Sequence, residues 1–501
     1  MSRFLVNLGV LQSTMSPWLW TGLLVTVLVL ALRIKYKSSV ELDKSQPQRL
    51  GHFLPFIGHA LKLASDKKKF FIESLQKFNQ QPFSMLIAGR RHYVFADLAD
   101  VGAIHKNEDI GFRWPKLFVY THLLGFSKKD AELMWDIDRE AERIDHKWLL
   151  GREEQAVTTS AYFHLVEKHM DHLDSQVGES DSKSLKVDGL LTVINVEGTA
   201  TVETFYGPTT VQRNPRIIED MIYVVTKGFK PFLFEIPRFL APNAHNARDR
   251  IINSFIELNE ELETRKDISG YFIERYRYLN EQGAPPRAVG ADMFRHLFAS
   301  LLNSLPTTYL ALVHILKSPE LTEKVRQELK AARYADLSPA ERVQILPERA
   351  PLLRSIWFET LRLHNNLVTL RHVEQDTRLS TRPEWLLYKD RVISIPAAPI
   401  HYDAKLHPDP NEFQPGRFMD KVLGGGGENA GRTLKPFGGG VSYCPGRAFG
   451  EKQMMGFIAA LITRFDVRII EQDFPVPPNG DFDDLWARPR CHWEITRRSA
   501  C

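Results

Sequence analysis

Cysteine is scarce in this chain: 501 residues carry three, at positions 444, 491 and 501. An odd count without zinc-module spacing excludes a disulfide scaffold and suits a reducing compartment. Charge of one sign is also lacking. The net charge is only +4, and no Lys/Arg run has the density of a nucleic-acid-binding tract, so no nucleic acid partner is expected. With 43% hydrophobic and 25% charged residues, the composition excludes a disordered or collagen-like chain.

The most local absence is at the N-terminus, where no charged residue occurs between Phe4 and Leu32. Its densest part, Pro17 to Leu32, has Trp18 and Trp20 at one end and is followed by Arg33, Lys35 and Lys37. A bilayer core takes about 20 apolar residues. A basic flank with no small-residue cleavage site reads as a retained anchor rather than a signal peptide. Residues 1–37 are therefore expected to be a single-pass membrane anchor, with 38–501 as one catalytic domain on the cytosolic side.

The rest of the chain is predominantly helical in pattern, with long amphipathic segments near 157–177, 189–206, 243–266, 287–317 and 347–364. Residues 83–97 read as a hairpin turning near Gly89, and 369–379 and 384–397 as strands. The run of four glycines at 424–427 reads as a loop, because no strand precedes it and no helix follows directly. The expected class is mainly α with small β-sheets.

Chemistry concentrates in Pro436 to Gly450, PFGGGVSYCPGRAFG. Cys444 follows three glycines and precedes Pro445, which suits the first turn of a helix. Outward-pointing N–H groups there favour thiolate over thiol. Glycines allow a flat macrocycle to approach the backbone, and Phe437 can pack beside the sulfur.

The pattern Phe437, Gly440, Cys444, Gly446 resembles the cysteine-ligand loop of the cytochromes P-450. That resemblance implies the P-450 fold with an N-terminal transmembrane helix and heme b held by the Cys444 thiolate, with Phe437, Gly438 and Gly446 around it. A thiolate ligand favours O–O cleavage of bound dioxygen. In the same family pattern Glu359, Arg362 and Arg417 form a buried structural charge network, and Trp148, Arg152 and Arg371 are candidate contacts to the haem propionates. Ala299, Leu302, Leu367, Val368 and Thr369 fall at substrate-facing positions.

The helix near 287–317 departs from that pattern. The usual acid and alcohol are replaced by Leu302 and Asn303, which removes the acid–alcohol proton relay and makes Asn303 the candidate catalytic group. Pro306 leaves the Leu302 carbonyl without its helical donor. Asn303, Pro306 and Ser442 together resemble the branch with sterol 7α- and 12α-hydroxylases and prostacyclin synthase.

The resemblance implies oxidation of a lipophilic small molecule (a sterol, terpenoid or other secondary metabolite). It would consume dioxygen and two electrons passed from NADPH through a flavoprotein reductase at the endoplasmic reticulum membrane. Two alternatives stay open: a reductase-independent isomerase or dehydratase acting on a peroxide, and a non-enzymatic haem-binding sensor. Lys147, Lys435 and Lys452 are candidate cations for docking an acidic reductase.

Overall fold

Two short segments, Phe83–Ile87 (β2) and Arg90–Val94 (β3), pair antiparallel across Ala88 and Gly89, both at positive φ. Two central residues of that kind give the tight turn whose twist matches paired strands. The hairpin belongs to a computed structural model that describes residues 45–498, except 53, 55, 234, 421–432, 472 and 477–489, together with Gly22 and Thr26. Thr26 donates its hydroxyl to the Gly22 carbonyl one helical turn back. The rest of the expected anchor, 1–37, and the glycine run at 424–427 lie outside the described residues.

The backbone falls into two compact units. The first comprises the chain up to Gly111 and returns for Leu370–Ile395. Its six-stranded sheet adds Gln48–Arg49 (β1), Ile110–Gly111 (β4), Val368–Val373 (β6) and Val392–Pro396 (β9), in the order β1-β2-β3-β9-β6-β4. Thr377–Leu379 (β7) pairs with Arg382–Leu387 (β8) as a separate hairpin. Each strand expected over 369–379 and 384–397 is thus two strands divided by a turn, the second with Asp390 at φ +61°. Helices Ala60–Ser65 (α1), Lys67–Lys77 (α2) and Leu98–Lys106 (α3) complete the unit. Asp97 caps α3 by accepting from the Ala99 and Asp100 N–H groups.

The second unit, Phe112–Thr369 with the chain from Pro396 onward, holds the large helical core. Its main helices are Arg113–His122 (α4), Lys128–Leu150 (α5), Arg152–Glu179 (α6), Gly189–Val193 (α7), Thr199–Tyr206 (α8), Pro242–Glu260 (α9), Gly270–Glu281 (α10), Pro286–Leu302 (α11), Ser304–Leu316 (α12), Pro351–His364 (α13) and Arg447–Arg464 (α14). A small sheet of Ser184–Asp188 (β5), Phe465–Ile469 (β10) and His492–Arg497 (β11) runs in the order β10-β11-β5. Helix α14 packs against α6 and α12, which makes it the floor of the core.

Two helices are interrupted where polar groups enter the core. Between α7 and α8 a wide turn, Ile194–Gly198, carries the fully buried Glu197, whose carboxylate accepts from the Thr308 hydroxyl at 2.9 Å. Burial pushes that acid well up from its ordinary value, against the opposing Thr308 hydrogen bond. The helix expected over 287–317 breaks at Asn303 into α11 and α12. Together these two are the one run among the described residues long and apolar enough to cross a bilayer. Two thirds of that apolar stretch, 67%, is buried inside the protein, so it serves as the core helix.

Candidate active site

Cys444 sits in a loop whose shape is set by glycine. Gly438 and Gly440 are at φ +73° and +60°, conformations that penalise any side chain, and Gly440–Ser442 makes one tight 3₁₀ turn. The Cys444 N–H donates to the Phe437 carbonyl at 3.1 Å and closes the loop. Phe437 packs between Trp357 of α13 and Tyr443, with ring centroids 6.3 and 6.5 Å away.

Helix α14 starts at Arg447, two residues later than Pro445 suggested, with Gly446 as its N-cap. Cys444 therefore precedes the first turn. Burial pushes its thiol up, while the N–H groups of Gly446 and Arg447 and the Arg447 guanidinium oppose that rise. Arg447 also donates to the Cys444 carbonyl at 2.7 Å and stacks on Tyr443 at 4.2 Å. Cys491 has a different environment: it is fully buried and its sulfur lies 3.2 Å from the Tyr309 hydroxyl.

On α11 and α12 most side chains are buried, but Ala299 and Asn303 are exposed and Leu302 is half-buried. These three form an open stripe just ahead of the fully buried run from Ser304 to Val313. Pro306 gives no N–H to the Leu302 carbonyl, and the Asn303 carbonyl accepts from the Thr307 hydroxyl at 2.6 Å. Leu367 is 42% exposed, and Val368 and Thr369 are half-buried. The Thr369 hydroxyl oxygen would stand 3.6 Å from a Cβ on Gly438, so Thr369, which belongs to the second unit, lies beside the cysteine loop.

A donor set of this kind fits a haem. Among the described residues no three His, Cys, Asp or Glu groups cluster as metal ligands. A haem, whose ring supplies its own nitrogens to the iron, would be held by the Cys444 sulfur. The loop glycines carry no side chain to crowd such a group, and nothing lies nearer than 3.6 Å to where a Cβ on Gly438 would stand.

Glu359, Arg362 and Arg417 are brought together. Arg362 donates Nε and Nη2 to the two Glu359 oxygens at 2.7 and 2.8 Å, and Arg417 Nε donates to both at 3.1 and 3.0 Å. The remaining Arg362 N–H groups reach the carbonyls of His401, Pro410 and Glu412. Glu359 and Arg362 are fully buried. Every strong donor thus has an acceptor, which is the condition for keeping charges in a core.

Trp148 and Arg152 do not share a face. Gly151 is extended between them, at φ −60° and ψ 137°, so Trp148 ends α5 and Arg152 opens α6, where it is exposed. The Trp148 indole N–H donates to Glu274 at 2.7 Å, and its ring lies over Gly270, where a Cβ would clash. Arg371, in the first unit, is buried on β6 and donates to the Leu370 carbonyl; burial lowers its pKa to about 10. Lys147 and Lys452 hold internal partners, Glu274 and Gln155, and Lys435 is half-buried.

A charge cluster that the sequence reading missed lies next along α11. Arg275 of α10 is wholly buried and donates to Asp292 at 2.7 Å and to Asp145 at 2.6 Å. Tyr271 donates to Asp145, Arg295 to Asp292, and His296 lies 2.9 Å from the Asp292 carbonyl. The available signal was an aspartate and an arginine three apart in a helix that otherwise reads as buried.

Burial alone would raise Asp292, but Arg275, then Arg295 and His296, outweigh it and hold the carboxyl well below the usual carboxylate range. A depressed folded value means this stabilisation is complete above the unfolded pKa near 4 and is lost as pH falls below it. Denaturation followed between pH 5 and pH 3 is expected to show Asp292→Asn losing less stability than the parent, by about 1.4 kcal/mol per pH unit below 4. Equal slopes would contradict the pairing.

The fold defines a class. It superposes on retinoic acid-bound cyanobacterial CYP120A1 with a TM-score of 0.69 over 90% of this chain and 99% of that one, at 20% identity. The sequence profile described as Cytochrome P450 matches residues 48–490. The chain is 45% identical to the cytochrome P450 monooxygenase poxD of Penicillium oxalicum, over 95% of this chain and 98% of that protein. It belongs to the cytochrome P450 family, as a monooxygenase, and membership implies haem–thiolate iron. It is also 31% identical to the human 7-alpha-hydroxycholest-4-en-3-one 12-alpha-hydroxylase over 46% of this chain and 48% of that one. Cytochrome P450 7A1 of Oryctolagus cuniculus matches at 23% over 92% and 94%. Both agree with the sterol-hydroxylase branch that Asn303, Pro306 and Ser442 resemble.

Proposed function

We propose that this chain hydroxylates or otherwise oxidises a lipophilic polycyclic molecule, of sterol, terpenoid or related secondary-metabolite type. Dioxygen would be consumed together with two electrons passed from NADPH through a flavoprotein reductase, with the enzyme held at the endoplasmic reticulum by residues 1–37. The observation that carries this reading is the open stripe of Ala299, Leu302 and Asn303 on a partly buried helix, together with the Cys444 thiol in its glycine-shaped loop. When bound, the haem supplies activation of dioxygen. The chain's own part is to ligate through Cys444, to line the substrate space with Ala299, Leu302, Leu367, Val368 and Thr369, and to position a proton-bearing water by a hydrogen bond from the Asn303 amide. The Leu302 carbonyl, with no N–H from Pro306, is a second polar group at that level and can hold a water beside the amide. The cholestane-type substrates named for two of the relatives support the polycyclic class.

The test is turnover of a sterol panel with reductase and NADPH. Asn303→Ala is expected to lower product formation by about a hundredfold or more, the range of a lost positioned proton transfer. Turnover of a hydroperoxide without reductase or NADPH, with no product in the coupled assay, would favour the isomerase alternative and overturn this reading.

A further inference from the structure

We propose that Arg295 is the specificity-determining residue that recognises a neutral acceptor oxygen, a carbonyl or hydroxyl, on the far end of the substrate. The inference rests on the substrate space of the preceding reading and names the chemistry of the molecule within it.

Arg295, Ala299 and Leu302 are spaced i, i+4, i+7, so they form one stripe of α11. Most of Arg295 is anchored rather than free. Its Nε and Nη2 donate to the same Asp292 oxygen at 3.1 and 2.9 Å, and Nη2 lies 3.3 Å from His296 Nε2. Asp292 is itself fixed by the wholly buried Arg275. The guanidinium therefore has one orientation, and its Nη1 edge has no acceptor among the described residues. The side chain keeps 24% of its surface accessible, against 0% for both Asp292 and Arg275. A pre-oriented cationic N–H donor at the edge of an apolar stripe is a recognition group, because the ordering cost is already met by the fold.

Charge balance selects the ligand. Around Arg295 stand Arg275, Lys116, Asp145, Asp292, Asp138, Glu142 and His296. Arg275 and Arg295 balance Asp145 and Asp292, while Lys116 faces both Asp138 and Glu142, leaving one formal negative charge in excess with His296 neutral. A carboxylate would lose its hydration without meeting a net positive field. A carbonyl or hydroxyl oxygen costs far less to bring in and still accepts from Nη1.

Distance gives the shape. Eight residues separate Arg295 from Asn303, about 12 Å along the helix at its ordinary rise. The acceptor oxygen and the carbon that reacts beside Asn303 therefore sit at opposite ends of an elongated, rigid skeleton.

Ligand-induced shifts of the Soret band test this with cholestanone, cholestane and cholanic acid in the same detergent. The parent protein is expected to bind cholestanone about tenfold or more tightly than cholestane, as for a hydrogen bond to a charged group, and cholanic acid no more tightly than cholestanone. Arg295→Met, which leaves no donor, is expected to abolish the preference while leaving the cholestane affinity unchanged, its fold checked by the carbon monoxide band. Arg295→Lys keeps a charge on Asp292 and spare N–H donors on a shorter, non-planar reach, and is expected to show a smaller preference than the parent. A preference that survives in Arg295→Met or stays at the parent's size in Arg295→Lys, a tighter carboxylate, or no preference in the parent overturns the inference. So does a parent that shows no shift with cholestanone while its carbon monoxide band is that of thiolate-ligated haem. That last outcome leaves the proposed oxidation intact, whereas loss of the band itself counts against the haem–thiolate reading.

Discussion

Cys444→Ala is expected to reduce NADPH- and reductase-dependent turnover to background and to remove the carbon monoxide band of thiolate-ligated haem. Cys491→Ser should retain both. The contrast follows from the two environments. Cys444 stands ahead of α14 with the Gly446 and Arg447 N–H groups opposing the effect of burial on its sulfur, in a loop that glycines keep open. Cys491 is enclosed and hydrogen-bonded to Tyr309, so a serine can keep that contact at a cost of about 1 kcal/mol. Absorbance of the reduced carbon monoxide complex in the two purified variants decides the matter. A band that survives Cys444→Ala and disappears with Cys491→Ser would reverse the ligand assignment.

The second large effect is structural. Glu359→Ala leaves the fully buried Arg362 and the adjoining Arg417 without their shared carboxylate. Breaking a buried pair by removing one partner costs about 3–5 kcal/mol, a large part of the roughly 5–15 kcal/mol that holds a domain together. The variant is expected to give little soluble protein and a sharply lower urea midpoint. Glu359→Gln, which keeps an acceptor oxygen for the two arginines, should fall between. An unfolding free energy within about 0.5 kcal/mol of the parent, the scale of an ordinary surface change, would show that the carbonyl acceptors alone satisfy Arg362.

What the sequence reveals about this site depends on how local each cause is. The cysteine loop is legible because glycine conformations and the start of a helix are decided within a few residues. Glu359 and Arg362 are legible as a pair because two residues three positions apart on one helix face the same way, although Arg417 needed the family pattern to join them. Trp148 shows the opposite case. The four-residue spacing to Arg152 means a shared face only on an unbroken helix, and extended Gly151 ends one helix there. The partner of its indole, Glu274, comes from 126 residues further along. The Asp292 cluster was hidden for the same reason. Helical spacing tells which side chains point together, but not that Arg275 of a different helix stands opposite. Strand boundaries failed at 374–376 and 388–391, where short turns carry no Gly or Pro to mark them.

The interruption at Asn303 also has a consequence for how this protein can change over time. Helix α12 is enclosed along nearly its whole length, from Ser304 to Val313, so almost any replacement there disturbs packing. Helix α11 is enclosed on one side only and offers Arg295, Phe298, Ala299 and Leu302 on the other. Because the backbone hydrogen-bond ladder is already discontinuous between them, an altered side chain on the first segment need not be transmitted to the second. Libraries restricted to those four positions should therefore yield many folded proteins with shifted substrate range. The same number of changes between 304 and 313 should yield few folded proteins at all. Descendants of this chain would diversify through one half of a helix while inheriting the other half nearly unchanged.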